Sequence, residues 1–152
     1  LRKPQRSVSV RPDTQISFDG AKRNYFFPPV AVPLWRVAMV RIAAGLWFLA
    51  VALGAFGAHW LKPTLETHGL TDVWNKAVLY HFIHATALFV LALFGPTNRG
   101  AWWLLFAGII IFGGSLYVMG VTNVRWLGAI TPIGGVCFLA GWAWLVISPP
   151  KL

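Results

Sequence analysis

Four long apolar runs dominate the chain after its first 35 residues, and short polar stretches separate them. The runs cover residues 36–61, 74–94, 101–121 and 126–147. Because about 20 apolar residues cross the hydrocarbon core of a bilayer as a helix, each run is long enough to span a membrane. Short connections place neighbouring helices antiparallel. The pattern therefore predicts an all-α integral membrane protein, an antiparallel four-helix transmembrane bundle over 36–148 with a short tail at 149–152.

Residues 1–35 follow a different pattern, in which no helical or strand period persists. Several prolines exclude a long helix. The segment carries six basic residues: Arg2, Lys3, Arg6, Arg11, Lys22 and Arg23. One interpretation is a disordered leader. The other is an extended basic N-terminal arm that lies on lipid headgroups or on a partner, which the aromatic residues at 25–27 favour because exposed aromatic rings need a contact.

Composition supports the membrane interpretation. The chain is 57% hydrophobic and 11% charged, whereas a soluble domain has about 25% charged residues. The net charge of +9 raises the question of nucleic acid, but seven of the thirteen basic residues lie in 1–36 and the others lie near the ends of the apolar runs. That distribution is typical of membrane topology and of contact with anionic lipid such as cardiolipin. We expect no nucleic-acid partner.

The charges also predict an orientation. Trp35 and Arg36 are typical interfacial anchors at the start of the first run, and we expect them to contact lipid or a partner together with the arm. The side of the termini is more basic than the opposite side, so both termini are expected on the cytoplasmic or matrix side. A sequence that starts at Leu1 fits a processed precursor as well as a truncated one. This favours the mitochondrial inner membrane, with the bacterial inner membrane as the alternative.

Three histidines are the main candidates for chemistry. His59 closes the first run, while His81 and His84 lie in the second and share a helix face because they are three residues apart. Ionisable residues inside a membrane are candidates for function. The favoured interpretation is an intramembrane hydrogen-bond cluster, whose members are His59, Tyr80, His81, His84, Ser115, Tyr117 and Thr131. Proton or ligand handling and a metal or haem site are the alternatives.

Other chemistry has little support in the sequence. No carboxylate or thiolate lies at the depth of the histidines, so we expect neither a metal nor a cofactor. The chain has four acidic residues in all, which leaves little for acid–base catalysis. Its single cysteine, Cys137, is typical of a small buried hydrophobe. The sequence therefore predicts a protein that is not an enzyme.

Small residues recur at helical spacing along the apolar runs. Small side chains let membrane helices approach closely. The predicted helix-packing residues are Ala50, Gly54, Gly57, Ala58, Gly113, Gly114, Gly128, Gly134, Gly135 and Gly141. The favoured interpretation is a tight bundle interior, and the alternative is that one of these stripes docks a partner.

Four motifs then carry a resemblance to a known family. They occupy residues 54–59 (GAFGAH), 77–85 (AVLYHFIHA), 114–117 (GSLY) and 127–135 (LGAITPIGG). These motifs resemble those of the small membrane-protein family that contains transmembrane protein 256. The resemblance covers residues 38–147. The resemblance implies a four-span protein of bacterial inner membranes and mitochondria without an established activity.

These observations lead to two functional expectations. The first is a non-catalytic accessory subunit of an inner-membrane complex, with a mitochondrial respiratory complex favoured. Its bundle would pack on larger membrane subunits and lipid, and its arm would lie on the matrix side. The second is a small transport or ligand-binding membrane protein that uses the face formed by His59, His81 and His84.

Overall fold

Four long helices form the body of the protein. The computed structural model describes residues 32–94 and 99–149, so residues 1–31 of the predicted arm with its six basic residues, residues 95–98 and the last three residues lie outside the described part. The first span is Leu34–Ala58 and the second is Thr71–Phe94. The third span is Arg99–Thr122 and the fourth is Arg125–Ile147. All four are long and apolar enough to cross a membrane, and the described residues contain no strand. The predicted all-α four-helix bundle is confirmed.

The polar stretch between the first two apolar runs contains a short helix. The first span ends at Ala58 and a separate helix, Lys62–His68, follows. Pro63 lies in the first turn of this helix, where a missing N–H costs nothing. Gly69 ends it with a left-handed backbone, φ 66°. Leu65 is buried and holds the short helix against the bundle.

Two of the spans are not regular α-helices. The third span contains a π-helical segment, Ile109–Gly113, between the α-helices Arg99–Gly108 and Gly114–Thr122. The fourth span begins as a 3-10 helix, Arg125–Ala129, and becomes α-helical at Thr131–Ile147. Pro132 lies inside the fourth apolar run, where a proline bends a continuous helix. In the structure Pro132 lies in the first turn of the α-helix, where a proline breaks no helical hydrogen bond.

The second and third spans form the centre of the bundle. In each of them 39% of an apolar stretch of 18 residues is buried. The corresponding share is 22% in the first span and 17% in the fourth. The first span packs along the second, and the fourth packs along the third. The first and second spans run antiparallel. The start of the first contacts the end of the second, where the Arg36 guanidinium donates to the backbone oxygens of Ala92 and Leu93.

Candidate functional site

The predicted polar cluster divides into three smaller groups in the middle of the bundle. His81 pairs with Tyr117, His84 is held by its own helix and by the fourth span, and Ser115 pairs with Thr131. Each group joins two spans. His59 belongs to none of them.

His84 has both ring nitrogens satisfied. Its Nδ1 lies 2.7 Å from the backbone oxygen of Tyr80, and its Nε2 accepts the indole N–H of Trp142 at 3.2 Å. A carbonyl only accepts, so Nδ1 carries the proton and the imidazole is neutral. Phe138 stacks on the ring with centroids 3.5 Å apart. His84 is therefore a structural tie between the second and fourth spans.

Tyr80 joins this group through its ring. Its ring stacks on Phe112 of the third span at a centroid distance of 4.7 Å and lies 5.9 Å from the ring of His84. The ring remains partly exposed on the outer side of the bundle. The contacts of its side chain with the cluster are aromatic, while its backbone oxygen accepts from His84.

Ser115 and Thr131 join the third and fourth spans. The Ser115 hydroxyl donates to the backbone oxygen of Phe112 at 3.0 Å, just after the π-helical segment. Its oxygen also lies 3.0 Å from Oγ1 of Thr131. Since a serine has a single hydroxyl hydrogen, Thr131 is the donor in this second bond. The pair therefore has defined donors and acceptors.

His81 is the one member with an unsatisfied atom. Its side chain is 2% exposed, and its Nδ1 lies 3.3 Å from the Tyr117 hydroxyl. Its Nε2 is buried and has no hydrogen-bond partner among the described residues. Buried polar atoms without partners are uncommon in native proteins, so this pair differs from the other two.

His59 lies apart from the other histidines. The helix ends one residue before it, and its side chain is exposed at the edge of the bundle. It lines a shallow surface cavity of about 260 Å³ together with Ala55, Phe56 and Trp60. His81 follows the start of the second span by ten residues, about 15 Å at 1.5 Å per residue. The predicted tie from His59 to the second span is therefore not present, because the two residues lie at different depths.

Four tryptophans, which the sequence did not single out as site residues, hold the spans together. The second span takes part in all four of their hydrogen bonds. Trp47 donates to the Thr86 hydroxyl at 3.0 Å and Trp102 donates to the backbone oxygen of Leu88 at 3.0 Å. Trp142 donates to His84 at 3.2 Å, and Trp74 of the second span donates to the backbone oxygen of Leu53 at 3.1 Å. Tryptophan is abundant in membrane interfaces, so the sequence held no signal for these roles.

Some predicted packing glycines make close contacts. A Cβ atom at Gly57 would overlap the Trp74 indole, and one at Gly134 would overlap the backbone of Phe112. A Cβ at Gly141 would lie 2.7 Å from the Leu105 side chain. Ala50 is fully buried. At these positions the spans approach closely because no larger side chain separates them.

Other predicted packing residues make ordinary contacts or none. A Cβ at Gly54, Gly113 or Gly128 would meet its neighbour at 3.4–3.7 Å, and one at Gly114 or Gly135 would meet nothing within 4 Å. Ala58 is exposed. Small residues at helical spacing occur on more than one face of these apolar helices. Their spacing therefore does not identify the face that meets a neighbouring helix. Close contacts that the sequence reasoning missed lie at Gly100, Gly108 and Gly120.

The predicted interfacial anchors contact the protein itself. Arg36 donates to the last carbonyls of the second span, which have no partner within the helix. The Arg99 guanidinium lies 5.3 Å from the Trp35 ring, within the range of a cation–π contact. At the opposite end, His68 Nδ1–H donates to the backbone oxygen of Gly120 at 2.9 Å. Both ends of the bundle are thus fastened by side chains.

The part of the chain that the structure describes contains no group of three or more His, Cys, Asp or Glu side chains placed to hold a metal ion. His81 and His84 each face different partners. The arrangement therefore has the chemistry of interhelical hydrogen bonding, with the His81–Tyr117 pair as its least satisfied part.

The fold and these contacts define a multi-pass α-helical membrane protein. The chain belongs to the family described as "Protein of unknown function (DUF423)", whose model matches residues 53–135. It is 47% identical to UPF0382 membrane protein YwdK of Bacillus subtilis over 109 residues, which cover 68% of this chain and 88% of the relative. It is 46% identical to UPF0382 membrane protein SAB0533 of Staphylococcus aureus, over 68% of this chain and 87% of the relative. No solved structure gives a significant match.

These findings correct the resemblance drawn from the motifs. The matching family model and the bacterial relatives carry no indication of the transmembrane protein 256 family, so that assignment is wrong. The relatives are bacterial membrane proteins, and they give no support to a mitochondrial respiratory subunit.

Proposed function

We propose that this protein is a non-catalytic accessory component of a larger membrane assembly, whose outer spans pack against other membrane subunits and lipid. The observation that carries the proposal is the weak burial of the first and fourth spans, 22% and 17%. Their outward faces are apolar: Phe48 is 77% exposed and Leu139 is 73% exposed. These faces remain available for a neighbour.

Arg41 favours a protein neighbour on the first span. It lies seven residues after the start of that span, about 10 Å along the helix. Its side chain is exposed and makes no hydrogen bond or ion pair with the described residues. A charge within a span is costly unless it finds a partner or reaches the interface. A partner with an acidic side chain at that depth satisfies Arg41 directly, while a lipid phosphate requires the arginine to extend to the interface.

The internal polar groups support a structural role over catalysis. The imidazole of His84 and the hydroxyls of Ser115 and Thr131 are used in bonds between spans. Groups that are committed in this way hold the bundle together. We therefore propose that the protein is not an enzyme and that it works without a metal or nucleic acid.

The bacterial relatives favour a bacterial membrane over a mitochondrial one. We place both termini on the cytoplasmic side and propose contacts between the basic arm and anionic lipid, for which cardiolipin is a candidate. Arg36 and Arg99, which lie at span ends on the side of the termini, support this orientation, because basic residues are retained on the cytoplasmic side.

Photo-crosslinking tests the accessory role. A photoreactive amino acid replaces Val136 of the fourth span, which is 63% exposed, or Phe48 of the first span. We expect each to give a discrete crosslinked product with a larger membrane protein, and extraction in mild detergent should give a native band above that of the free protein. Leu79, exposed on the second span, is the matched control. Crosslinks to lipid alone, with migration only as a free small species, would contradict the proposal.

A further inference from the structure

We propose that the outward face of the first span around Arg41 binds a membrane helix of a different protein, and that this helix carries a carboxylate at the depth of Arg41. The inference rests on the proposed accessory role and names the chemistry of the partner. The face consists of Ala38, Arg41, Gly45 and Phe48, all of which are exposed. Successive members are three or four residues apart, so they form one stripe along the helix.

This stripe points away from the rest of the bundle. The residues of the first span that are buried against the other spans are Met39, Ala43, Leu46, Ala50 and Gly57. With 3.6 residues per helical turn, Arg41 lies on the side of the helix opposite to them. It accordingly makes no hydrogen bond or ion pair with the described residues. A partner for this charge therefore comes from outside the four spans.

The charge of Arg41 identifies the chemistry of that partner. An arginine about 10 Å into a span is costly unless its charge is compensated. A guanidinium and a carboxylate form two parallel hydrogen bonds, which are stronger where water is excluded. A carboxylate on a membrane helix meets the guanidinium at its own depth, whereas the phosphate of a lipid lies at the interface. The charge therefore favours an acidic side chain of a neighbouring helix.

Gly45 gives a second observation on the same face. A Cβ there would meet nothing within 4 Å, so no described helix of this chain uses the space that the glycine leaves. Small residues let a neighbouring membrane helix approach closely. Ala38 lies about one turn before Arg41 and Gly45 about one turn after it. A helix that packs on this face therefore brings its side chains within reach of the guanidinium.

A groove extends this face toward the second span. It has a volume of about 380 Å³. The residues that line it are Ala44, Trp47, Thr86 and Phe89. Its polar groups are already bonded, because the Trp47 indole donates to the Thr86 hydroxyl and that hydroxyl donates to the backbone oxygen of Phe82. The groove thus accepts an apolar side chain of the neighbouring helix beside the charge.

A second copy of this chain does not supply the carboxylate. The chain has four acidic residues. Glu66 and Asp72 lie at the opposite end of the bundle from Arg41, in the connecting helix and in the first turn of the second span. Asp13 and Asp19 precede the first span in the sequence. A copy in the same orientation therefore brings a second arginine to this depth, and the partner is a different protein.

Binding of a synthetic polyleucine transmembrane helix to the full chain in phosphatidylcholine nanodiscs tests this inference. One version of the helix carries a single glutamate at the depth of Arg41, and the other carries glutamine there. Energy transfer from tryptophan to a dansyl group on the helix reports binding. We expect the wild type to bind the glutamate helix about ten-fold more tightly, the usual effect of a hydrogen bond between charged groups. Arg41→Gln should abolish this preference, whereas Arg41→Lys should retain most of it.

Two further variants separate charge from shape. Arg99→Gln is the matched control, because the Arg99 guanidinium lies at the same end of the bundle and already contacts the Trp35 ring, so the preference should be retained. Gly45→Leu fills the space beside Arg41 without a clash inside this chain. It should weaken binding of both helices while the melting temperature of the protein is kept.

Three results would overturn the inference. They are equal affinity of the wild type for the two helices, a preference that survives in Arg41→Gln, and loss of the preference in phosphatidylglycerol nanodiscs, where lipid headgroups would then satisfy Arg41. Each leaves crosslinks from Val136 on the fourth span unaffected, so this inference and the accessory role fail separately.

Discussion

At the scale of single residues, glycine decides where side chains from one span enter another. Trp74 is 2% exposed and lies between the first and third spans. Its indole reaches the backbone oxygen of Leu53 because Gly57, one helical turn later, has no side chain in the way. Gly120 leaves similar space on the third span, where a Cβ would lie 2.9 Å from Trp74. The two glycines and the tryptophan form one packing unit.

Gly57→Ala should therefore destabilise the bundle. The added methyl group overlaps the Trp74 indole, so either the ring or the first span must move, and overpacking of this kind costs about 1–3 kcal/mol. Thermal unfolding in detergent, followed by circular dichroism, measures the effect as a lower melting temperature.

Gly45→Ala is the matched control for this substitution. It lies on the same span, where a Cβ would meet nothing within 4 Å. Alanine is a better helix former than glycine by about 1 kcal/mol, so the control should be neutral or more stable. Equal melting temperatures for the two variants would contradict the packing role of Gly57.

At the scale of elements, the π-helical segment Ile109–Gly113 meets the fourth span at Gly134. A π-helical turn displaces the helix face by an extra residue and is uncommon. Here it ends two residues before Ser115, whose hydroxyl joins Phe112 and Thr131. The fourth span becomes α-helical at Thr131, so the close approach and the hydroxyl pair occur where both spans change geometry.

Gly134→Ala should separate the third and fourth spans locally. A Cβ there meets the backbone of Phe112, which cannot rotate away as a side chain can. We expect a loss of about 2 kcal/mol or more, measured as a reduced melting temperature. The adjacent Gly135→Ala is the control because a Cβ there meets nothing within 4 Å. If both variants melted together, close packing at Gly134 would not limit stability.

At the scale of the whole molecule, the second span is joined to each of the others by an indole hydrogen bond. The first and fourth spans are peripheral and bury less of their surface. Peripheral helices of this kind are the part of a bundle that meets lipid or neighbours. This arrangement is the basis of the proposed accessory role.

The orientation has its own test. In a Cys137→Ala background, a cysteine at Thr67, between the first two spans, should react with a membrane-impermeant maleimide added to intact cells. A cysteine at Thr97, between the second and third spans, should react only after the membrane is permeabilised. The expected pattern follows from the basic residues on the side of the termini. The reverse pattern would place the termini outside.

The sequence predicted the class of fold well and the site only in part. Span number and approximate limits follow from run length, because the hydrocarbon core demands about 20 apolar residues whatever the packing. The polar pairs of Ser115 with Thr131 and His81 with Tyr117 were included in the predicted cluster. The Trp142 bond to His84 and the short helix at Lys62–His68 were not predicted.

The amino-acid sequence by itself determined that the described part of the chain forms four helices long and apolar enough to cross a membrane, since hydrophobic length acts locally and needs no partner. The tertiary structure alone decided which faces meet. It separated His59 from His81 by depth and gave close contacts to Gly57 and Gly134 but not to Gly114 or Gly135. Periodicity is shared by every face of an apolar helix, so only the positions of the neighbouring helices distinguish a buried residue from one that faces lipid.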